Sequence, residues 1–76
     1  MPRYYFDLVN NGQRTADDEG TELASRHDAH RNAIRVIADT AADLIPLDGA
    51  LKLTIEVKDE RRRPVVNTHV WFEPGD

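Results

Sequence analysis

The chain has 76 residues, which is enough for one small domain (residues 1–76) with a modest hydrophobic core. It contains no cysteine, which excludes disulfides and cysteine-based zinc or iron–sulfur sites. The formal net charge of −4 opposes non-specific binding to nucleic acid or to an anionic membrane. The apolar runs are too short for a transmembrane helix or a signal-peptide core. These features predict a cytoplasmic domain with no membrane contact and no nucleic-acid partner.

The beginning of the chain predicts a β-hairpin. Residues 3–9 are rich in aromatic and apolar residues typical of a strand. Asn10-Asn11-Gly12 predicts a tight turn, because Asn and Gly tolerate positive φ, and a short second strand should follow at residues 13–16. Residues 17–20, Asp-Asp-Glu-Gly, predict a solvated acidic loop, since their spacing differs from that of a calcium-binding loop.

The middle of the chain predicts one long amphipathic helix at residues 26–45. Ser25 is placed to cap its first turn, and Pro46 to end it. The apolar positions recur at helical spacing, which predicts a stripe facing a sheet. That stripe comprises Ile34, Ile37, Ala41, Leu44 and Ile45, flanked by Ala33 and Ala38.

Two further strands are predicted after the helix. Residues 50–58 alternate strictly between apolar and polar side chains, which is typical of a strand buried on one face, and residues 64–72 form the last strand. The fold class is therefore α+β, in the order β-β-α-β-β, with a four-stranded sheet and the helix packed on one face. The right-handed crossover rule predicts that the first and last strands lie side by side and parallel.

A single helix covers only one face of such a sheet, so the other face should be open. The alternation predicts that Tyr5, His69 and Trp71 project from the open face, where exposed aromatic side chains mark a candidate interaction surface. A bulge near Asn67 would instead turn Trp71 inward and expose Phe72.

Three stretches together resemble a known family. These are the opening Met1-Pro2-Arg3-Tyr4-Tyr5-Phe6-Asp7, the segment Asp17-Asp18-Glu19-Gly20-Thr21-Glu22-Leu23, and the helix rich in Ala and Arg. The chain is similar to a family of short alphaproteobacterial proteins, abundant in rhizobia, known as a domain of unknown function. The resemblance implies a bacterial cytoplasmic protein and supplies no activity and no functional residues. Arg61-Arg62-Arg63 departs from the shorter turn of the usual pattern.

Two groups of residues suggest a chemical site. Removal of Met1 would leave Pro2 as an amino-terminal secondary amine, the general base of small tautomerases, with Arg3, Arg14 or Arg35 to hold a substrate carboxylate. His27 and His30 lie three positions apart and suit a metal, although partly buried packing side chains are the simpler interpretation.

The sequence therefore predicts no cofactor, no metal and no catalytic residue. The favoured function is a non-enzymatic protein-interaction or self-associating module, most simply a homodimer, that uses the open face around Tyr5, His69 and Trp71. The alternative is a tautomerase-like enzyme with Pro2 as base.

Overall fold

The computed structural model describes residues 1–44 and 49–73. Its elements are β1 (Arg3–Asn10), β2 (Gln13–Thr15), β3 (Thr21–Glu22), α1 (Arg26–Leu44), β4 (Leu51–Lys58) and β5 (Pro64–Phe72). This arrangement confirms the α+β class, with one helix and an antiparallel sheet. The two-residue strand β3, just after the acidic loop, was not predicted. Ile45 and Pro46, the predicted end of the helix, lie outside the described residues.

The sheet order is β2-β1-β4-β5, and β3 also pairs with β1. All of these pairings are antiparallel, so the prediction that the first and last strands are parallel neighbours is wrong. The crossover rule governs parallel pairs only, and β1 pairs antiparallel with β4 instead. The strand with the most apolar face takes a central position, where it is paired on both sides. Pro64, which lacks an N–H group, begins the edge strand β5, where such a residue is tolerated.

The core lies between β4 and the helix. On β4 the side chains that point at the helix are at most 4% exposed: Leu51, Leu53, Ile55 and Val57. Helix α1 packs over β4 and β5 through a row spaced four residues apart, formed by Ala29, Ala33, Ile37 and Ala41. Because three of these four residues are alanines, the helix can approach the sheet closely. No helix in the described ranges is long and apolar enough to cross a membrane.

The predicted helix stripe is correct only in part. Ile37, Ala33 and Ala41 are buried as expected, but Ile34 is 50% exposed and Leu44 is 42% exposed. Ala38 is exposed as well. The reason is that the row of small residues, rather than the larger Ile34 and Leu44, forms the contact with the sheet.

Local hydrogen bonds explain where α1 begins and how the first hairpin is held against β4. The Asp28 backbone N–H donates to Ser25 Oγ at 3.2 Å, so Ser25 caps α1 as predicted. At the tip of the first hairpin Asn11 has a φ of 48°, in the left-handed region. The Lys52 backbone N–H donates to Asn11 Oδ1 at 2.8 Å, and the Asn11 N–H donates to the Lys52 carbonyl at 2.9 Å. The hairpin tip is thereby fastened to β4.

Candidate interaction surface on the open sheet face

The open sheet face is the side of the sheet turned away from α1. Strand alternation and register bring the following side chains onto it: Tyr5, Asp7 and Val9 of β1, Arg14 of β2, Lys52, Thr54, Glu56 and Lys58 of β4, and Asn67, His69 and Trp71 of β5. The three predicted residues are all among them, but they do not form one cluster. Tyr5 is opposite Lys58 and Trp71 is opposite Lys52, at the two ends of β4. Tyr5 and Trp71 are therefore about 20 Å apart.

Tyr5 is packed within the molecule rather than free. The guanidinium carbon of Arg62 lies 3.6 Å from the centre of the Tyr5 ring, close enough for a stacked cation–π contact. Arg62 has a φ of 63° and also donates from Nη1 to the Asp17 carbonyl at 3.3 Å. The basic turn at residues 61–63 is exposed, and its middle arginine covers the Tyr5 ring.

Gly20 borders the same ring from the neighbouring loop. A Cβ at this position would lie 2.8 Å from Arg3 Cγ, 2.9 Å from the Tyr4 carbonyl oxygen and 3.0 Å from Tyr5 Cε1. Its φ of +72° is also unfavourable for any residue with a side chain. Only glycine therefore allows the acidic loop to approach β1 this closely.

Asp7 is the buried centre of the open sheet face, and sequence reasoning did not identify it. The residue is 3% exposed. Its Oδ1 accepts from the Asp17 backbone N–H at 2.9 Å, and its Oδ2 accepts from Lys58 Nζ at 2.9 Å. Arg14 Nη1 is 3.8 Å from the same Oδ2. Burial by itself would raise the pKa of Asp7, but these hydrogen bonds and charges hold the pKa below its usual value.

Asp17 fastens the acidic loop to β1. Its Oδ2 accepts from the Phe6 backbone N–H at 3.0 Å, and its Oδ1 accepts from the backbone N–H groups of Gly20 at 3.0 Å and Glu19 at 3.2 Å. Burial opposes ionisation here, yet the three backbone donors lower the pKa of Asp17. The carboxylate is therefore used in holding its own loop, whereas the neighbouring Asp18 is exposed as predicted.

An ion pair crosses the face from β2 to β4. The Arg14 guanidinium makes a two-pronged contact with the Glu56 carboxylate, and the Nη2–Oε2 distance is 3.0 Å. This contact lowers the pKa of Glu56, chiefly through the hydrogen bond from Arg14. Together with Asp7 and Lys58 the pair forms a polar network whose charges are largely balanced internally.

Next to an exposed tryptophan, the face forms a shallow groove that is also lined by Arg14 and Glu56 of the ion pair. The groove has a volume of about 330 Å³, and its walls include Val9, Lys52, Thr54, Asn67 and His69. Thr54 Oγ1 and His69 Nδ1 share a hydrogen bond of 2.9 Å across the floor.

Trp71 follows His69 on the same face of β5 and is 65% exposed. Lys52 Nζ lies 5.6 Å from the Trp71 ring centre, at the outer limit of a cation–π contact. Phe72 is less exposed, at 37%. The irregularity in the β4–β5 register leaves Val65 without a partner on β4. From Val66 to Phe72 the register is continuous, so Trp71 keeps the predicted outward direction.

The structure adds no neighbouring groups that would complete either of the two chemical sites suggested by the sequence. His27 and His30 are both exposed, so the interpretation as partly buried packing residues is wrong. Residues 1–44 and 49–73 contain no group of three or more His, Cys, Asp or Glu side chains that could hold a metal ion. Pro2 is exposed, and its carbonyl accepts from the Leu23 backbone N–H at 3.0 Å.

Comparison with known protein families gives a match. The model of the DUF6894 family, a domain of unknown function, matches residues 3–71. This confirms the expectation of a domain of unknown function. No curated protein matches the chain significantly. The same is true of the solved structures.

Proposed function

The chain belongs to the DUF6894 family, and we propose that this member is a non-enzymatic protein-interaction module that acts through the groove and Trp71 on the open sheet face. The partner is another protein or a second copy of the chain. In keeping with the resemblance to alphaproteobacterial proteins, we place this activity in a bacterial cytoplasm.

The exposure of Trp71 is the observation that carries the proposal. A tryptophan that is 65% exposed on a hydrogen-bonded strand presents a large apolar surface to water. Tryptophan is also enriched among the residues that contribute most to binding at interfaces. Because Trp71 lies in the part of β5 that pairs regularly with β4, a partner would order few additional backbone groups.

The surroundings of Trp71 suit a contact site with a polar rim. Lys52 and Thr54 flank it on β4, and His69 precedes it on β5. Such polar groups around an apolar anchor are typical of protein interfaces. Tyr5, which the sequence analysis included in this surface, belongs to the internal packing under Arg62 and is left out of the proposed contact.

No observation of comparable weight favours the tautomerase-like alternative. The Arg3 guanidinium donates to the Glu19 carbonyl at 2.7 Å and pairs with Glu22 at 3.3 Å. Arg14 is held by Glu56. Two of the three arginines considered for binding a substrate carboxylate thus have partners within the domain.

Site-specific photo-crosslinking in the native cell tests the proposal. A photoreactive phenylalanine analogue replaces Asn67 on the open sheet face or, as a control, Arg35 on the exposed side of α1. We expect protein adducts from position 67 that disappear when Trp71→Ala is added, and none from position 35. Equal adducts from both positions, or adducts from position 67 that persist in Trp71→Ala, would overturn the proposal.

A further inference from the structure

We propose that the partner is a second copy of the chain, joined along the outer edge of β5 by antiparallel strand pairing centred on Thr68. The inference rests on the proposed function, since it names the partner of the strand that carries His69 and Trp71. It adds a specific contact, the strand edge, to the side-chain surface described above.

The outer edge of β5 has the features of a strand edge that can pair with another strand. The strand is nine residues long and pairs with β4 on one side only; no described strand lies on its other side. Antiparallel strands present N–H and C=O groups on both edges, so alternate residues of β5 offer free backbone groups along this edge. Sheet edges are usually protected by charged side chains, proline or bulges. In β5, Pro64 and the register irregularity beside it lie only at the beginning of the strand, and residues 66–72 contain no Asp, Glu, Lys or Arg.

The other edge of the sheet is different. Strand β2 is only three residues long and carries Arg14. A short, charged edge strand is a common protection against edge-to-edge pairing. The two edges therefore differ in the way expected if only β5 accepts a partner strand.

Thr68 supplies the second, independent observation. Its Oγ1 is buried and, within the described part of the chain, has no hydrogen-bond partner. A buried hydroxyl without a partner destabilises a protein, because it has lost its hydrogen bonds to water and gained none in return. In a pairing centred on Thr68, the Thr68 side chains of the two copies lie directly opposite each other on the same face, with Cβ atoms about 5 Å apart. The Thr68 hydroxyl is turned inward in the isolated chain, so a rotation about the Cα–Cβ bond has to accompany pairing; each hydroxyl can then hydrogen-bond to the other.

The sequence of β5 matches itself in this register. The segment Val66-Asn67-Thr68-His69-Val70 reads apolar, polar, polar, polar, apolar in both directions. Val66 of one copy is opposite Val70 of the other on the helix side, and Asn67 is opposite His69 on the open sheet face. A shift of the centre to His69 would place Thr68 opposite Val70 and leave both hydroxyls without partners.

Disulfide crosslinking tests the register sharply, because the chain has no native cysteine. In Thr68→Cys the two sulfurs are brought together at the symmetry axis, where the Cα atoms of directly opposed residues are about 4.5–5.5 Å apart. This separation permits a disulfide. In Val66→Cys the two equivalent residues are about 13 Å apart along the strands, too far for a disulfide.

We expect mild oxidation to convert Thr68→Cys to a covalent dimer at least tenfold faster than Val66→Cys. A mixture of Val66→Cys and Val70→Cys chains should form mixed dimers, whereas each variant alone should not. This mixture keeps the inference testable if Thr68→Cys fails to fold. Sedimentation velocity of the unmodified chain should show a dimer.

The outcomes separate this inference from the proposed function. A monomer at all accessible concentrations, or equal crosslinking of Thr68→Cys and Val66→Cys, would overturn edge pairing. In that case adducts from position 67 that depend on Trp71 would still support the proposed function with another protein. Conversely, the covalent dimers could form while the adducts from position 67 persist in Trp71→Ala. Edge pairing would then be supported, and the open-face contact would be rejected.

Discussion

Asp7→Asn should lower the free energy of unfolding by about 2 kcal/mol, which for a domain of this size corresponds to a decrease in Tm of about 10 °C. The carboxylate is 5% exposed and its Oδ2 lies 2.9 Å from Lys58 Nζ. Hydrogen bonds to charged groups contribute about 1.5–3 kcal/mol each. The amide keeps an acceptor for the Asp17 N–H but loses the charge that Lys58 and Arg14 face. Because the Lys58 side chain is 27% exposed and can turn to water, the loss falls at the lower part of that range.

Urea denaturation followed by circular dichroism measures the effect, with Asp18→Asn as the control because Asp18 is an exposed acid next in sequence to Asp17. The pKa of Asp7 is lowered in the folded state. The stabilisation by its charge is therefore fully present above the unfolded-state pKa of about 3.9 and is lost as the pH falls through the folded-state pKa. The difference between the native chain and Asp7→Asn should be constant from pH 5 to 8 and shrink below about pH 4. Equal stability of Asp7→Asn and Asp18→Asn at pH 7 would refute the reasoning.

Three further substitutions probe the fold. Gly20→Ala should cost about 1–3 kcal/mol more than Gly12→Ala, because both glycines have positive φ but only a Cβ at Gly20 would clash with neighbours. Ile37→Asp should unfold the domain, as it buries an unpaired charge at a side chain that is 2% exposed, whereas Ile34→Asp should change stability by less than about 0.5 kcal/mol. Ser25→Ala should lower stability by about 1 kcal/mol through loss of the helix cap. Each effect is read from the midpoint of urea unfolding.

Comparing each variant with its matched control, or with the native chain, shows whether the structural explanation holds. Similar losses in the two glycine variants would contradict the close approach of the acidic loop to β1. Similar unfolding midpoints for Ile37→Asp and Ile34→Asp would contradict the orientation of the helix described here. A Ser25→Ala variant as stable as the native chain would show that the first turn is held by other contacts.

Periodicity predicted the local elements well and their neighbours poorly. The alternation over residues 50–58 requires only that one face of a strand be apolar, so β4 was identified almost to the residue. Which strand lies beside it depends on contacts between distant parts of the chain, such as Asn11 with Lys52. No local sequence pattern indicates such a contact, and the predicted strand order was therefore wrong.

In the candidate surface, too, the features that depend on local periodicity were predicted and those that depend on distant contacts were not. Alternation along β5 predicted the outward direction of Trp71, because it depends only on the strand period. The same alternation placed Asp7 on the open sheet face, where an acid would ordinarily be solvated. Its burial depends on the loop around Asp17 and on Lys58 folding over it. The only local signal was one acidic residue inside an otherwise aromatic and apolar strand.

The pairing of β1 with β4 has a consequence for the folding pathway. Tyr5 is opposite Lys58, so the central ladder of the sheet joins residues far apart in the sequence, and its formation requires closure of a long loop that includes α1. The β4–β5 hairpin and α1 are local and can form first, with β1 joining last. During synthesis, β1 leaves the ribosome long before its partner is made. The apolar side of β1 is therefore exposed until β4 has been made, and during that time a chaperone or the ribosome surface can contact it.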